Sequence, residues 1–288
     1  MGEVNSSVTR VWPVFDTLFA HDETGNKWLA QLLSLAPMFP HCDVGSLLPE
    51  LAQFNKRLPR NFAKVLGMKL ASRLGNLRSC FEVDYPPPQL FLEWLINNAA
   101  SLAWPLGKAT VPLEYSESTQ MKRVGLRKSD LSLRTEALAD LERKKAAGSR
   151  RKWWAFEGFT SVDCVLETDR LLVFIEGKRT EPISSATDWY PKRNQVVRNL
   201  EVASCAAAQC DKNFGVIVCA ETPIPPAALE ERVFREGLPH LSPQEQDALR
   251  AHYWGCITWQ QIANALCPTL KLPKDLDEAV QICKVLRP

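Results

Sequence analysis

The segment Ser161–Lys178, SVDCVLETDRLLVFIEGK, sets an aspartate in one apolar run and a Glu-x-Lys at the end of the next. Side chains alternate faces along a strand, so Glu176 and Lys178 share one side and Gly177 is turned to the other. Leu171-Leu172-Val173-Phe174-Ile175 is a nearly continuous apolar run, as expected for a strand covered on both faces. Thr168-Asp169-Arg170 reads as a tight turn, which makes Ser161–Glu167 and Leu171–Lys178 a hairpin and brings Asp163 toward Glu176. Two carboxylates with an open face bind Mg²⁺ through oxygen, and a metal held there would polarise a phosphate and acidify a water. An adjacent Lys178 would stabilise charge developing on phosphorus. The chemistry these residue types suggest is phosphodiester hydrolysis.

The elements that must position this group follow in order along the chain. Asp130–Lys145 reads as a helix, Lys152–Phe156 as a first strand, and Ser161–Glu167 and Leu171–Lys178 as the second and third. Pro191–Cys210 reads as a second helix and Phe214–Ala220 as the last strand. In this order, and with Asp163, Glu176 and Lys178 at these places, the segment resembles the PD-(D/E)xK nuclease superfamily, the restriction-endonuclease-like fold. The resemblance implies an α/β protein with an αβββαβ core and a mixed central sheet. It implies that Asp163 and Glu176 hold Mg²⁺ or Mn²⁺ and that Lys178 serves the chemical step. Two departures stand out: Val162 precedes the aspartate where proline is common, and Gly177 occupies the middle of Glu-x-Lys where a bulky apolar residue is more usual.

Members of that superfamily often carry a glutamate on the first helix. Glu136 borders the face set by Leu133, Ala137, Leu138 and Leu141 and is the preferred candidate, with Glu142 in reserve. Glu157, at the end of the expected first strand, is a further one. Gln195 on the second helix is similar in location to a glutamine that faces the active site in some branches. Catalytic candidates are therefore Asp163, Glu176, Lys178, Glu136 and Gln195.

The whole chain of 288 residues carries a formal charge of only +2, but its distribution is uneven. Between Met121 and Lys152 eleven Lys or Arg face four Asp or Glu. Such a belt beside the strands is where a polyanion would be gripped, and Lys144, Lys145, Arg150, Arg151 and Lys152 are the expected nucleic-acid contacts. Lys192 and Arg193 join them, because cations at a helix N-terminus oppose the macrodipole and so hint at another use.

Residues 1–112 read as a helical N-terminal region, with Val11–Ala20, Lys27–Leu35, Ser46–Phe54, Asn61–Leu74 and Gln89–Ala103 at helical spacing. Residues 113–221 would hold the nuclease-like core and residues 222–288 a helical C-terminal region. There Ser242-Pro243-Gln244-Glu245 opens a helix, and LRAHYWGCITWQQIANAL has a helix-turn-helix outline with Thr258 as a cap. Nine cysteines without a Cys-x-x-Cys pair read as buried thiols, and four histidines without ligand spacing argue against structural zinc. No apolar stretch reaches the ~20 residues a spanning helix needs, and the N-terminus lacks signal-peptide regions. Taken together, the expectation is a cytoplasmic, metal-dependent nuclease acting on nucleic acid, DNA first, without a membrane partner. The helical regions would be free to hold a protein partner or a second copy of the chain. The competing reading is a non-catalytic nucleic-acid-binding or assembly protein that keeps the fold.

Overall fold

A computed structural model describes residues 6–22, 28–39, 83–103, 117–167, 171–179, 181–184, 187, 189–224, 230–275 and 277–279. Its centre is a mixed four-stranded sheet in the order β3 (Cys164–Glu167), β4 (Leu171–Gly177), β5 (Asn213–Ala220), β6 (Tyr253–Thr258). β3 runs antiparallel to β4, with Cys164 opposite Ile175 and Glu167 opposite Leu172, so the expected hairpin forms. Its turn, 168–170, lies outside the described residues. β5 and β6 run parallel to β4, as crossover connections require.

Every residue of β4 is buried. Leu171, Val173 and Ile175 face one core, built with Phe15, Leu18, Leu32, Trp254 and Trp259. Leu172 and Phe174 face the other, against Val196, Leu200 and Ala203 of α6 (Gln195–Ala208). Burial on both faces is the physical reason for the unbroken apolar run. α6 begins where Asn194 caps it, its Oδ1 accepting from Val197 N at 2.8 Å.

The first core is closed by segments near the N-terminus: a single π-helical turn Ser7–Val11, α1 (Trp12–His21) and α2 (Leu29–Leu35). Trp28 packs edge-on against Phe19 with ring centroids 5.1 Å apart. The expected helices 46–54 and 61–74 lie outside the described residues. α3 (Gln89–Asn97) pairs with α5 (Leu131–Lys144) in a third core that includes Leu95, Ala137 and Leu141. α4 (Glu117–Arg127) precedes α5, and Asp130 caps α5 by accepting from Ser132 N at 2.9 Å and Leu133 N at 3.2 Å. The segments flanking 113–221 therefore share cores with it. A sheet with two apolar faces needs that cover.

Lys152–Phe156 is not a strand. Arg151 adopts φ 61°, which interrupts extended backbone, and Trp154 and Phe156 are buried in the α3–α5 core. The strand beside the hairpin comes instead from β1 (Val83–Tyr85), which pairs antiparallel with β2 (Thr160–Val162), Val83 opposite Val162. β2 and β3 are one stretch of chain broken at Asp163.

Nor does the helix-turn-helix outline hold. Tyr253–Thr258 extends along β5, because its aromatic and branched side chains fill both cores, and Gly255 takes φ 102° where the register shifts. The flanking helices follow the expected capping: α8 (Pro243–Arg250) starts at a Ser242–Glu245 box and α9 (Trp259–Leu266) at a Thr258–Gln261 box. α7 (Glu231–Gly237) precedes α8. Among the described residues no helix is long and apolar enough to cross a membrane.

The β5–β6 pairing depends on Gly215, where an added Cβ would lie 2.4 Å from the Trp254 indole. Gly215→Ala should cost about 1–3 kcal/mol in chemical denaturation, the range of an overpacked core. An unchanged midpoint would mean that Trp254 does not pack across β5.

Candidate functional site

Glu176 lies on the same face of β4 as Leu172 and Phe174, and therefore points at α6. It is 1% exposed. A buried carboxylate requires partners, and three are supplied. Lys178 Nζ donates to its Oε1 at 2.7 Å and Gln195 Nε2 to the same oxygen at 2.6 Å. Asn199 Nδ2 donates to Oε2 at 2.8 Å. Gln195 and Asn199 are one helical turn apart on α6, so a single helix face carries both amides to the end of β4.

Asp163 sits in the break between β2 and β3, one residue before Cys164, whose partner is Ile175. That register sets it across from Glu176. Its Oδ2 accepts from Gly177 N at 2.7 Å, which anchors the carboxylate to the neighbouring strand. Burial raises the pKa of Glu176 and the Asp163 charge adds to it; Lys178 and Asn199 oppose them, and the balance leaves Glu176 at about 7.

Gly177 has a steric reason to be glycine. A Cβ there would lie 2.4 Å from Val11 Cγ2 and 3.3 Å from both Asp163 Oδ2 and Trp259 Cζ2. The chain start is bound at the same point, where Ser6 Oγ donates to Gly177 O at 3.0 Å. Lys178 is held through its backbone: its N donates to Cys219 O at 2.7 Å and its O accepts from Trp259 Nε1 at 2.7 Å. Its ammonium is thereby fixed beside Glu176.

Two carboxylates near enough to repel, with an ammonium on one of them, suit a divalent cation in charge and in donor type. Among the described residues no cluster of three or more His, Cys, Asp or Glu stands ready to hold an ion. Asp163 and Glu176 would supply two ligands, and main-chain oxygen, water or substrate the rest.

The remaining expected residues divide. Gln195 reaches the site. Glu136 does not join it: α5 turns it to α4, where it pairs with Lys122. Glu142 pairs with Lys145 and accepts from Gln89 at 3.3 Å. Glu157 is buried between Arg193 at 3.0 Å and Arg198 at 3.1 Å. Part of the basic belt is paired within the protein, since Lys144 meets Asp140 at 3.0 Å and Arg150 meets Asp84 at 2.9 Å; beyond the belt, Lys192 meets Glu236 at 3.6 Å.

Arg193 is the clearest correction. It is fully buried, bound to Glu157 at 3.0 Å and Glu201 at 2.7 Å, with its guanidinium 3.9 Å from the Phe91 ring centre. Its unfavourable place at the start of a helix is compensated by two carboxylates, not by a phosphate. His240 Nε2 lies 2.6 Å from Glu201 and extends the network.

Asn199 and Arg198 were not assigned to the site from sequence. The spacing of Gln195 and Asn199 was the available signal for the first. Nothing in the sequence ties Ser6 or Val11 to Gly177, because the Ser6 contact spans 171 positions of the chain. No family model, curated protein or solved structure matches this chain.

Two outcomes follow. Arg193→Ala should lower unfolding free energy by about 3–5 kcal/mol, the cost of stranding buried carboxylates. Unchanged stability would return Arg193 to the surface. A carboxyl raised from its ordinary 4.5 to about 7 contributes stability that is complete below 4.5 and is lost as pH climbs to about 7. Wild type should therefore lose stability relative to Glu176→Gln between about pH 4 and about pH 8 in metal-free buffer, measured by urea denaturation. Parallel curves would place Glu176 in solvent.

Proposed function

We propose that this chain is a divalent-metal-dependent nuclease of the PD-(D/E)xK type. The observation that supports it most is the convergence at the end of β4: Lys178 and Gln195 on one Glu176 oxygen at 2.7 and 2.6 Å, with Asp163 tied to Gly177 N at 2.7 Å. Asp163 and Glu176 would hold Mg²⁺ or Mn²⁺. When bound, the ion supplies Lewis acidity toward the scissile phosphate and its attacking water.

The chain's own groups do the rest. Gly177 N holds the Asp163 carboxylate in orientation, and Asn199 and Gln195 hold that of Glu176. Each is a neutral donor, so neither cancels the charge a cation needs. Lys178 gives a fixed positive charge beside the phosphate, where it stabilises the negative charge that builds in the transition state. Because its backbone is pinned at both N and O, little reorganisation is needed at the moment of reaction.

A second reading is favoured by one specific feature, the burial of Glu176 with both oxygens hydrogen-bonded. Under it the charged end of β4 is structural and the chain is a nucleic-acid-binding or assembly protein without hydrolysis. End-labelled single-stranded DNA, duplex DNA and RNA, incubated with and without Mg²⁺ or Mn²⁺, separate the two. Cleavage should require the metal and fall by about 10²-fold or more in Lys178→Ala and in Asp163→Asn, with circular dichroism unchanged. Metal-independent cleavage, or full activity in these variants, refutes the assignment; tight binding with no cleavage in any metal supports the second reading.

A further inference from the structure

A cavity of about 480 Å³ opens against α6, at Arg198, within the range of about 300–1,000 Å³ typical of small-ligand sites. Its walls come from four parts of the chain: the turn 149–152, the stretch 155–159, Thr187 with Trp189, and α6 through Arg198. Arg198 joins it to the site, because this side chain lies between Glu157 on the cavity wall and the α6 face that holds Glu176.

The lining is cationic beyond its internal pairing. Arg198 is matched by Glu157 at 3.1 Å and Arg150 by Asp84 at 2.9 Å. Arg151 and Lys152 line it without an ion-pair partner among the described residues, although Lys152 lies near the Lys144–Asp140 pair. Like charges gathered on one concave surface are favourable only when an anion enters. Arg151 also holds φ 61°, a conformation that a side-chain-bearing residue adopts when its surroundings impose it.

Two further features specify the anion. Ser149 lines the cavity, is 1% exposed, and its buried Oγ has no hydrogen-bond partner among the described residues. A buried hydroxyl in that state is a ready donor for a ligand oxygen. Beside the cations stand flat apolar walls: the Arg150 guanidinium lies 4.2 Å from the Phe159 ring centre, and Trp189 meets Phe156 with centroids 5.0 Å apart. A dianionic group next to an aromatic plane is the outline of a nucleotide ending in a phosphomonoester, since a monoester carries nearly twice the charge of a chain diester.

We infer that this cavity binds the phosphomonoester-bearing nucleotide at a strand terminus or free in solution, so that the protein engages phosphorylated ends. The inference deepens the nuclease reading and rests on it for the identity of the strand, but binding can be read without cleavage. Fluorescence anisotropy on the Lys178→Ala protein in EDTA compares one labelled single strand bearing a 5′-phosphate, a 3′-phosphate or neither. Calorimetry with free dAMP supplies the remaining source.

A phosphorylated end should bind about tenfold tighter than the unphosphorylated strand, as one or two charge-assisted hydrogen bonds give. Arg151→Ala/Lys152→Ala should remove that preference, with circular dichroism unchanged. Preference for one strand end assigns the ligand to nucleic-acid termini, whereas dAMP binding as tight as the strand, lost in the same variant, assigns it to free nucleotide. Equal affinity for all three strands with no dAMP binding overturns the inference. So does a preference that survives the double substitution. Neither result bears on whether the wild type cleaves DNA in Mg²⁺, so the two proposals fail separately.

Discussion

A carboxylate at the end of a strand buried on both faces cannot remain ionised without partners, and the placement of Glu176 constrains much of what surrounds it. Removing an unpaired carboxylate from water costs several kcal/mol, so the segments that bury it must also solvate it. α6 does so with two amides one turn apart, and β4 does so with the lysine two residues on. α6 must then begin at the level of the end of β4, which explains why Asn194 caps it there and why Arg193, immediately before, is drawn into the interior. That arginine in turn requires Glu157 and Glu201, and Glu201 reaches His240. One buried acid is thus followed outward by alternating charges that tie α6 to the loop before β2 and to the segment between α7 and α8.

The sequence carried the centre of this arrangement and little of its periphery. The β3–β4 hairpin, α5, α6 and β5 were legible because each has a strong period or a run long enough to bury, and the starts of α8 and α9 were legible from their capping residues. Lys152–Phe156 was misread because WWAF satisfies the composition of a strand while its tryptophan and phenylalanine pack onto α3 and α5. β1 was missed because three residues give no period to detect. Tyr253–Thr258 was taken for part of a helical pair because Gly255 looks like a turn and is in fact a bulge in β6.

Among the site residues, Gln195 was legible because a helix face points somewhere definite once the helix is placed. Glu136 was not, since its neighbours along α5 fix the buried side but leave a border residue free to turn to α4 and Lys122. The charge count in the basic belt was correct and its meaning was only partly so. Five of the eleven cations, Lys122, Arg143, Lys144, Lys145 and Arg150, meet a carboxylate that is distant in sequence or one turn away, and local excess on paper becomes a smaller excess in space. Arg151 and Lys152, on the cavity wall, are among the cations left without a carboxylate among the described residues.

Gly177 leads to one more consequence. The space that a side chain at 177 would occupy is already taken by the methyl of Val11, brought there from the start of the chain. These two positions hold a single shared volume, and enlargement of one demands shrinkage of the other. In related chains they should drift as a compensating pair, with a bulky residue inside Glu-x-Lys accompanied by alanine or glycine near the N-terminus.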